Sequence, residues 1–164
     1  MIYRKGSIED FESLKKLGLI AYSEYLTILD TDNSKKLGDI LNNDENLAKL
    51  ISNSTVFICE IDNEIAGAVY FFSNGNPTEL YKEDWCYFRS LGVNPKYRGL
   101  GIGNELTNMC IEYAKKTKEK VIALHTSEFM DTARKMYEKK GFIKEKEIRR
   151  FGKKYWVFTK QLQD

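Results

Sequence analysis

Hydrophobic positions change their spacing several times along the chain, and each change marks an element. A short apolar-polar alternation at Ile2-Tyr3-Arg4-Lys5 predicts a strand, whereas Phe11, Leu14, Leu17 and Ile20-Ala21 recur at the spacing of one helix face. Ser7 precedes that run, with Glu9 and Asp10 just after it, so its hydroxyl is the expected N-cap. Residues 26–53 carry a second apolar stripe, Leu37, Ile40-Leu41, Leu47 and Leu50-Ile51, amid Asn, Asp and Ser, which predicts a broken helical region.

From Thr55 the period shifts to that of strands. Thr55-Val-Phe-Ile-Cys-Glu-Ile61 and Ile65-Ala-Gly-Ala-Val-Tyr-Phe-Phe72 are β-branched and aromatic runs about Asp62-Asn63-Glu64, a predicted β-hairpin. Ser73–Asp84 reads as a loop, and Trp85–Val93 returns to strand until Asn94-Pro95 ends it. Ile102, Leu106, Met109-Cys110 and Tyr113-Ala114 then line one face of a helix running to about Lys118. A short strand at Val121–Leu124 and a helix from about Met130 to Lys140, closed by Gly141, follow. Two further strands, Phe142–Ile148 and Lys154–Leu162, turn at Phe151-Gly152. The order predicts an α/β chain with a mixed sheet and helices on both faces. There is no internal repeat, low-complexity tract or linker, so residues 1–164 are expected to form a single domain.

Composition narrows the function classes. With 26 Lys+Arg against 24 Asp+Glu, the net charge of +2 gives no electrostatic case for nucleic acid. The basic tail (Lys144, Lys146, Arg149, Arg150, Lys153, Lys154), with Phe151, Tyr155 and Trp156, makes such binding conceivable but not preferred. Cys59, Cys86 and Cys110 lie far apart in apolar runs, as buried reduced thiols do, and His125 is the only imidazole, so no metal site is expected. The start lacks an apolar signal core, and the longest apolar run, Ala66–Phe72, is too short to span a bilayer; a cytoplasmic protein without a membrane partner is expected.

The sharpest local feature is Val93-Asn-Pro-Lys-Tyr-Arg98-Gly99-Leu100-Gly101-Ile102-Gly103-Asn104, between a strand and an amphipathic helix. Glycines allow a tight turn with bare amides, and the first turn of a helix offers unpaired N–H donors to a phosphate. Arg98 adds a forked cation. A P-loop would need Lys-Ser/Thr after the last glycine, and the dinucleotide fingerprint would need glycine at Asn104; both fail.

Arg98-Gly-Leu-Gly101-Ile-Gly103 instead resembles the Arg/Gln-x-x-Gly-x-Gly/Ala motif of the GNAT superfamily of N-acetyltransferases. Ala133-Arg-Lys-Met-Tyr137-Glu-Lys-Lys-Gly141-Phe142 is similar to a second segment of that family. The resemblance implies a mostly antiparallel central sheet in which the strand ending at Val93 splays from a parallel neighbour at Val121–Leu124. It implies acetyl-CoA as cofactor, with pyrophosphate held by the amides of Arg98, Gly99, Leu100, Gly101, Ile102, Gly103 and Asn104. Leu91, Gly92 and Val93 would pair with the pantetheine arm, and an amide near Leu91 or Val93 would polarise the thioester carbonyl. It also implies Tyr137 as general acid, since a phenol stays protonated at neutral pH; taken on spacing alone, Tyr137 is a core aromatic.

The general base is open. The position where some members of the family carry glutamate is Tyr87 here, alternation could instead aim Arg89 or Cys86 at the cleft, and Glu83 and Asp84 read as solvated loop charges. His125 reads as structural or a rim residue and Cys110 as core, which favours direct transfer over a covalent enzyme intermediate. Met130 stands where the family often has an asparagine, leaving one cofactor contact in doubt. By the same resemblance, residues 22–36 and 73–84 build the acceptor side. Tyr22, Glu24, Tyr25, Asp30 and Asp32 could attract a cationic amine there or be an ordinary helix end with surface carboxylates. Two functions follow: an N-acetyltransferase acting on a primary amine of a small molecule or peptide, or a non-catalytic acyl-CoA-binding or protein-interaction module. A homodimer through the tail strands stays open.

Overall fold

The computed structural model describes residues 1–162. The elements are β1 (Ile2–Lys5), α1 (Phe11–Tyr22), α2 (Tyr25–Ile28), α3 (Thr31–Leu41), α4 (Asp44–Asn53), β2 (Thr55–Ile61), β3 (Glu64–Phe72), β4 (Cys86–Val93), α5 (Ile102–Lys116), β5 (Val121–Ser127), α6 (Asp131–Lys139), β6 (Ile143–Arg150) and β7 (Lys153–Gln161). The strands form one sheet in the order β1-β2-β3-β4-β5-β7-β6. Only β4 and β5 run parallel; the other neighbours are antiparallel.

The apolar run in β3 is continuous, not alternating, because the sheet is covered on both faces. Phe57, Val69, Phe71 and Phe88 pack with Leu106 and Cys110 of α5. Val56, Ile58, Tyr70 and Phe72 pack with Leu14 and Leu17 of α1 and Ile51 of α4. At Gly67 the helix comes so near that a Cβ would lie 2.7 Å from the Ile102 Cγ2 methyl. The three cysteines are buried and free.

Several boundaries differ from expectation, each for a local reason. Ser7 caps a 3-10 turn, Ile8–Asp10, and α1 starts after it at Phe11. Asp10 cannot cap α1 with its side chain, because that carboxylate accepts from the Ser7 amide at 2.9 Å and from the Arg4 guanidinium at 2.8 and 3.0 Å. The broken region is three helices: α3 is capped by Asp30, which accepts from the Asn33 amide, and α4 by Asn43, which accepts from the Asn46 amide. The hairpin turns on Asp62 and Asn63, both left-handed with φ 52° and 63°, a primed turn that matches strand twist. α5 stops at Lys116, and Lys118 takes φ 63°. β5 continues past Leu124 to Ser127 because its pairing with β7 holds throughout, up to Ser127↔Tyr155.

Candidate functional site

β4 and β5 pair only at Cys86↔Ile122 and Tyr87↔Ala123, then part. β4 carries a bulge where its register with β3 moves from Tyr70↔Arg89 to Ala68↔Gly92, with Ser90 at φ 57°. A bulge bends the strand and increases its local twist. β5 meanwhile follows β7, so the two strands diverge. The end of β4, the start of α5 and the Phe129–Ala133 segment after β5 border a cavity of about 700 Å³.

Leu91, Gly92, Val93, Arg98, Gly99, Gly101, Ile102, Gly103 and Asn104 all border this cavity. Leu100 does not, and is 52% exposed. Gly99 and Gly101 adopt φ 85° and 79°, and nothing lies within 4 Å of a Cβ built on either; backbone conformation, not space, demands glycine there. No side chain caps α5. Its first amides therefore face the cavity without an acceptor from their own helix, which is the donor set an anion needs.

Arg98 is engaged. It forms a forked pair with Glu24 at 2.6 and 3.2 Å across the mouth of the cavity, and holds that carboxyl below its ordinary range. Both side chains are nearly half exposed, so the pair is weak and can yield to a phosphate. Asp30, the α3 cap, also accepts from Asn33 Nδ2 at 2.9 Å. Two carboxylates of the acidic-aromatic cluster thus serve internal contacts.

The aromatic members of that cluster roof the gap. The Tyr22 hydroxyl donates to the Leu91 carbonyl at 2.7 Å, Tyr25 tilts against Tyr22 with centroids 5.4 Å apart, and Phe129 meets Tyr25 edge-on at 5.2 Å. Met130 borders the cavity where an asparagine amide was in question, and its sulfur accepts from the Thr126 hydroxyl at 3.7 Å.

A smaller cavity of about 270 Å³ adjoins, sharing Tyr22, Tyr25, Leu91, Phe129, Met130 and Ala133 with the first. Tyr137 lines it and is also a core residue, 5% exposed and edge-on to Phe88 and Phe142. Burial, with Cys110 second, raises its phenol above the ordinary range, so it stays protonated at neutral pH. A third cavity of about 560 Å³ lies under α1, α3 and α4 and meets the second at Tyr22, Ile40, Leu41, Arg89 and Ser90.

None of the three β4 positions weighed for the base suits that role. Cys86 is fully buried with its thiol donating to the Val121 carbonyl at 3.3 Å, and burial raises its pKa. Tyr87 donates to the Asn76 carbonyl at 2.9 Å and stacks on Tyr81 with centroids 4.0 Å apart. Arg89 is a permanent cation. His125 has a partner the sequence did not reveal: its Nδ1 and the Tyr81 hydroxyl share a hydrogen bond. Burial, then Arg150 and Arg89, push the imidazole down to about 3, so it is neutral at pH 7. Tyr81 reaches it from a loop moored by Glu119, whose buried carboxylate accepts from the amide and side chain of Asn74. Tyr81, Phe129 and Glu119 carry no sequence signal of these roles, since contacts spanning tens of residues are set by the sheet order.

Solved structures of like fold include a PaiA N-acetyltransferase from Thermoplasma acidophilum in complex with coenzyme A, with TM-score 0.78, 18% identity and 98% of each chain covered. The ribosomal-protein-S18-alanine N-acetyltransferase from Escherichia coli superimposes with TM-score 0.75 at 13% identity, over 96% of this chain and 91% of that one. By sequence, an uncharacterized N-acetyltransferase of Methanocaldococcus jannaschii is 33% identical over 92 residues, 56% of this chain; the match spans only 40% of that relative's length. The family model for the acetyltransferase (GNAT) family matches residues 21–142, from the end of α1 through the Gly141-Phe142 turn. The chain belongs to the GNAT acetyltransferase family.

Proposed function

We propose that this chain acetylates a primary amine of a small molecule or peptide, with acetyl-CoA as donor and direct attack of the amine on the thioester. The observation that carries the reading is the parted β4–β5 pair beside an uncapped helix N-terminus, which together offer extended backbone and bare amides to one elongated anionic ligand. A family relative of like fold holds coenzyme A, in line with that fit. Bound there, acetyl-CoA supplies an acyl group already activated as a thioester.

The chain's own groups divide the remaining work. The amides of residues 98–104 bind phosphate, and the free edge of β4 from Leu91 to Val93 orients the extended arm. Tyr22 anchors the bulge through the Leu91 carbonyl. Tyr137 Oη holds a proton in the wall of the 270 Å³ cavity and delivers it to the departing sulfur. Cys86, Tyr87 and Arg89 do not suit a base, and Glu83 and Asp84 are exposed and border none of the three cavities, so the amine loses its proton to water.

Melting of the purified protein with acetyl-CoA, coenzyme A, ATP and NADH at equal concentration tests the cofactor. A ligand at 100 times its dissociation constant adds about 2.7 kcal/mol, a shift of several degrees at this size. A rise confined to the two coenzyme A compounds is expected, followed by amine-dependent thiol release. Rises with ATP or NADH instead overturn the reading, and binding without release from any amine identifies a non-catalytic acyl-CoA module.

A further inference from the structure

The acceptor side differs in charge from what an amine alone would require. Arg89 and Arg150 both line the 270 Å³ cavity, and among the described residues no Asp or Glu lines it. Neither guanidinium has an ion pair among the described residues. The Arg89 Nε is buried without a hydrogen-bond partner, and Arg150 lies against the rings of Phe151 and Tyr155 at 5.7 and 5.8 Å. Among the described residues the 560 Å³ cavity beyond Arg89 likewise has no carboxylate in its wall. Glu24 and Asp30, carboxylates of the acidic-aromatic cluster, are held by Arg98 and Asn33.

A buried N–H without an acceptor is costly, and cations in a water-poor cleft attract an anion more strongly than they would in bulk solvent. Their field is felt within the cleft: both arginines disfavour protonation of His125, which keeps a third positive charge out of the cluster. A cationic polyamine would meet two unneutralised cations here. A molecule with one amine and one carboxylate would place its anion on the guanidinium forks, leaving the amine free to face the donor cavity. The surrounding Ile40, Leu41, Phe88 and Phe129 suit an apolar body on that molecule.

We propose that the acceptor is a small apolar amine that also carries a carboxylate, of amino-acid type, and that Arg89 and Arg150 bind the carboxylate. This rests on the acetyl-transfer reading above and names its substrate class.

The test uses product pairs in the presence of coenzyme A, followed by calorimetry: N-acetylphenylalanine against N-acetylphenethylamine, and N-acetylleucine against N-isopentylacetamide. At least tenfold tighter binding of the carboxylate member is expected in one pair. That preference falls to near unity in Arg89→Gln and, as a second variant should the first fold poorly, in Arg150→Gln. Thiol-release assays on phenylalanine, phenethylamine, leucine, isopentylamine and spermidine are expected to rank the same way, with spermidine poorest. Equal binding within both pairs, binding of none of the four, or spermidine as the best acceptor overturns the proposal. So does a preference that persists in both variants. Coenzyme A melting shifts, recorded on the same samples, report separately on the donor site: their presence with no carboxylate preference sinks only the substrate class, and their absence sinks the underlying reading.

Discussion

The two halves of the proposed site are built from different material. The donor half is backbone: a bulged strand edge, two left-handed glycines and an uncapped helix N-terminus. The acceptor half is side chains brought from α1, the 73–84 loop, β4, β5, α6 and the β6–β7 hairpin. Backbone sites are fixed by conformation and tolerate sequence change around a few glycines. Side-chain sites can be rewritten residue by residue while the sheet stays the same, so one fold serves many acceptors.

Substitutions can break that division or sharpen it. Tyr137→Phe is expected to have the largest effect, a drop in turnover of about 10²-fold or more, the usual contribution of a positioned general acid. The coenzyme A dissociation constant should stay near that of the wild type; if affinity falls as far as turnover, the halves are not separable. Unchanged turnover removes Tyr137 from the chemistry.

On the donor side Gly101→Ala should cost about 1–2 kcal/mol, because an L-residue is strained at φ 79° although its Cβ has room. Urea unfolding with and without coenzyme A measures both the strain and the loss of ligand response. If alanine is accepted at no cost, conformation is not what selects glycine there.

The acceptor side should also leave a pH signature. His125 is held at about 3, below the ordinary value near 6.5, so between those values the unfolded chain binds a proton that the folded chain does not. Stability from this group is therefore complete above about pH 6.5 and is lost as pH falls toward 3, with a slope of up to about 1.4 kcal/mol per pH unit. His125 is the only imidazole, so His125→Gln should flatten the slope between pH 5 and 6.5 in denaturant titrations. A slope that survives belongs to other groups, and the cleft is then wetter than described.

Glu24→Ala should have the smallest effect, under about 1 kcal/mol in stability, since the pair with Arg98 is nearly half exposed. Freed Arg98 should raise coenzyme A affinity slightly, read as a larger melting shift. A weaker shift would mean that Glu24 positions Arg98 for the phosphate instead of competing with it.

The same division decides what could be read from the chain alone. Element order was legible because apolar period tracks covered faces, as in the continuous Ala66–Phe72 run and the Ile102–Ala114 stripe. The donor half was legible through the resemblance of Arg98–Gly103 and Ala133–Phe142 to two GNAT motifs, the glycine loop by itself suggesting only an anion, although the engagement of Arg98 by Glu24 was not legible, since those residues are 74 apart. The extent of β5 escaped because its last residues are strand by virtue of β7, not of their own apolarity. In the sequence Arg150 is one of six basic tail residues with nothing to set it apart; only the fold of the β6–β7 hairpin brings it to the wall of Arg89's cavity.

An ordinary open sheet has two edges. Where β4 and β5 part, this one gains two more in its interior, along Phe88–Val93 and Leu124–Ser127, each strand keeping only its outer neighbour. Unpaired edges are templates for any passing strand, and sheets survive them by being covered. The row Tyr22–Tyr25–Phe129 covers this pair on one side. On the proposed function, a ligand seated between the parted strands would therefore also cover the two interior edges of the sheet.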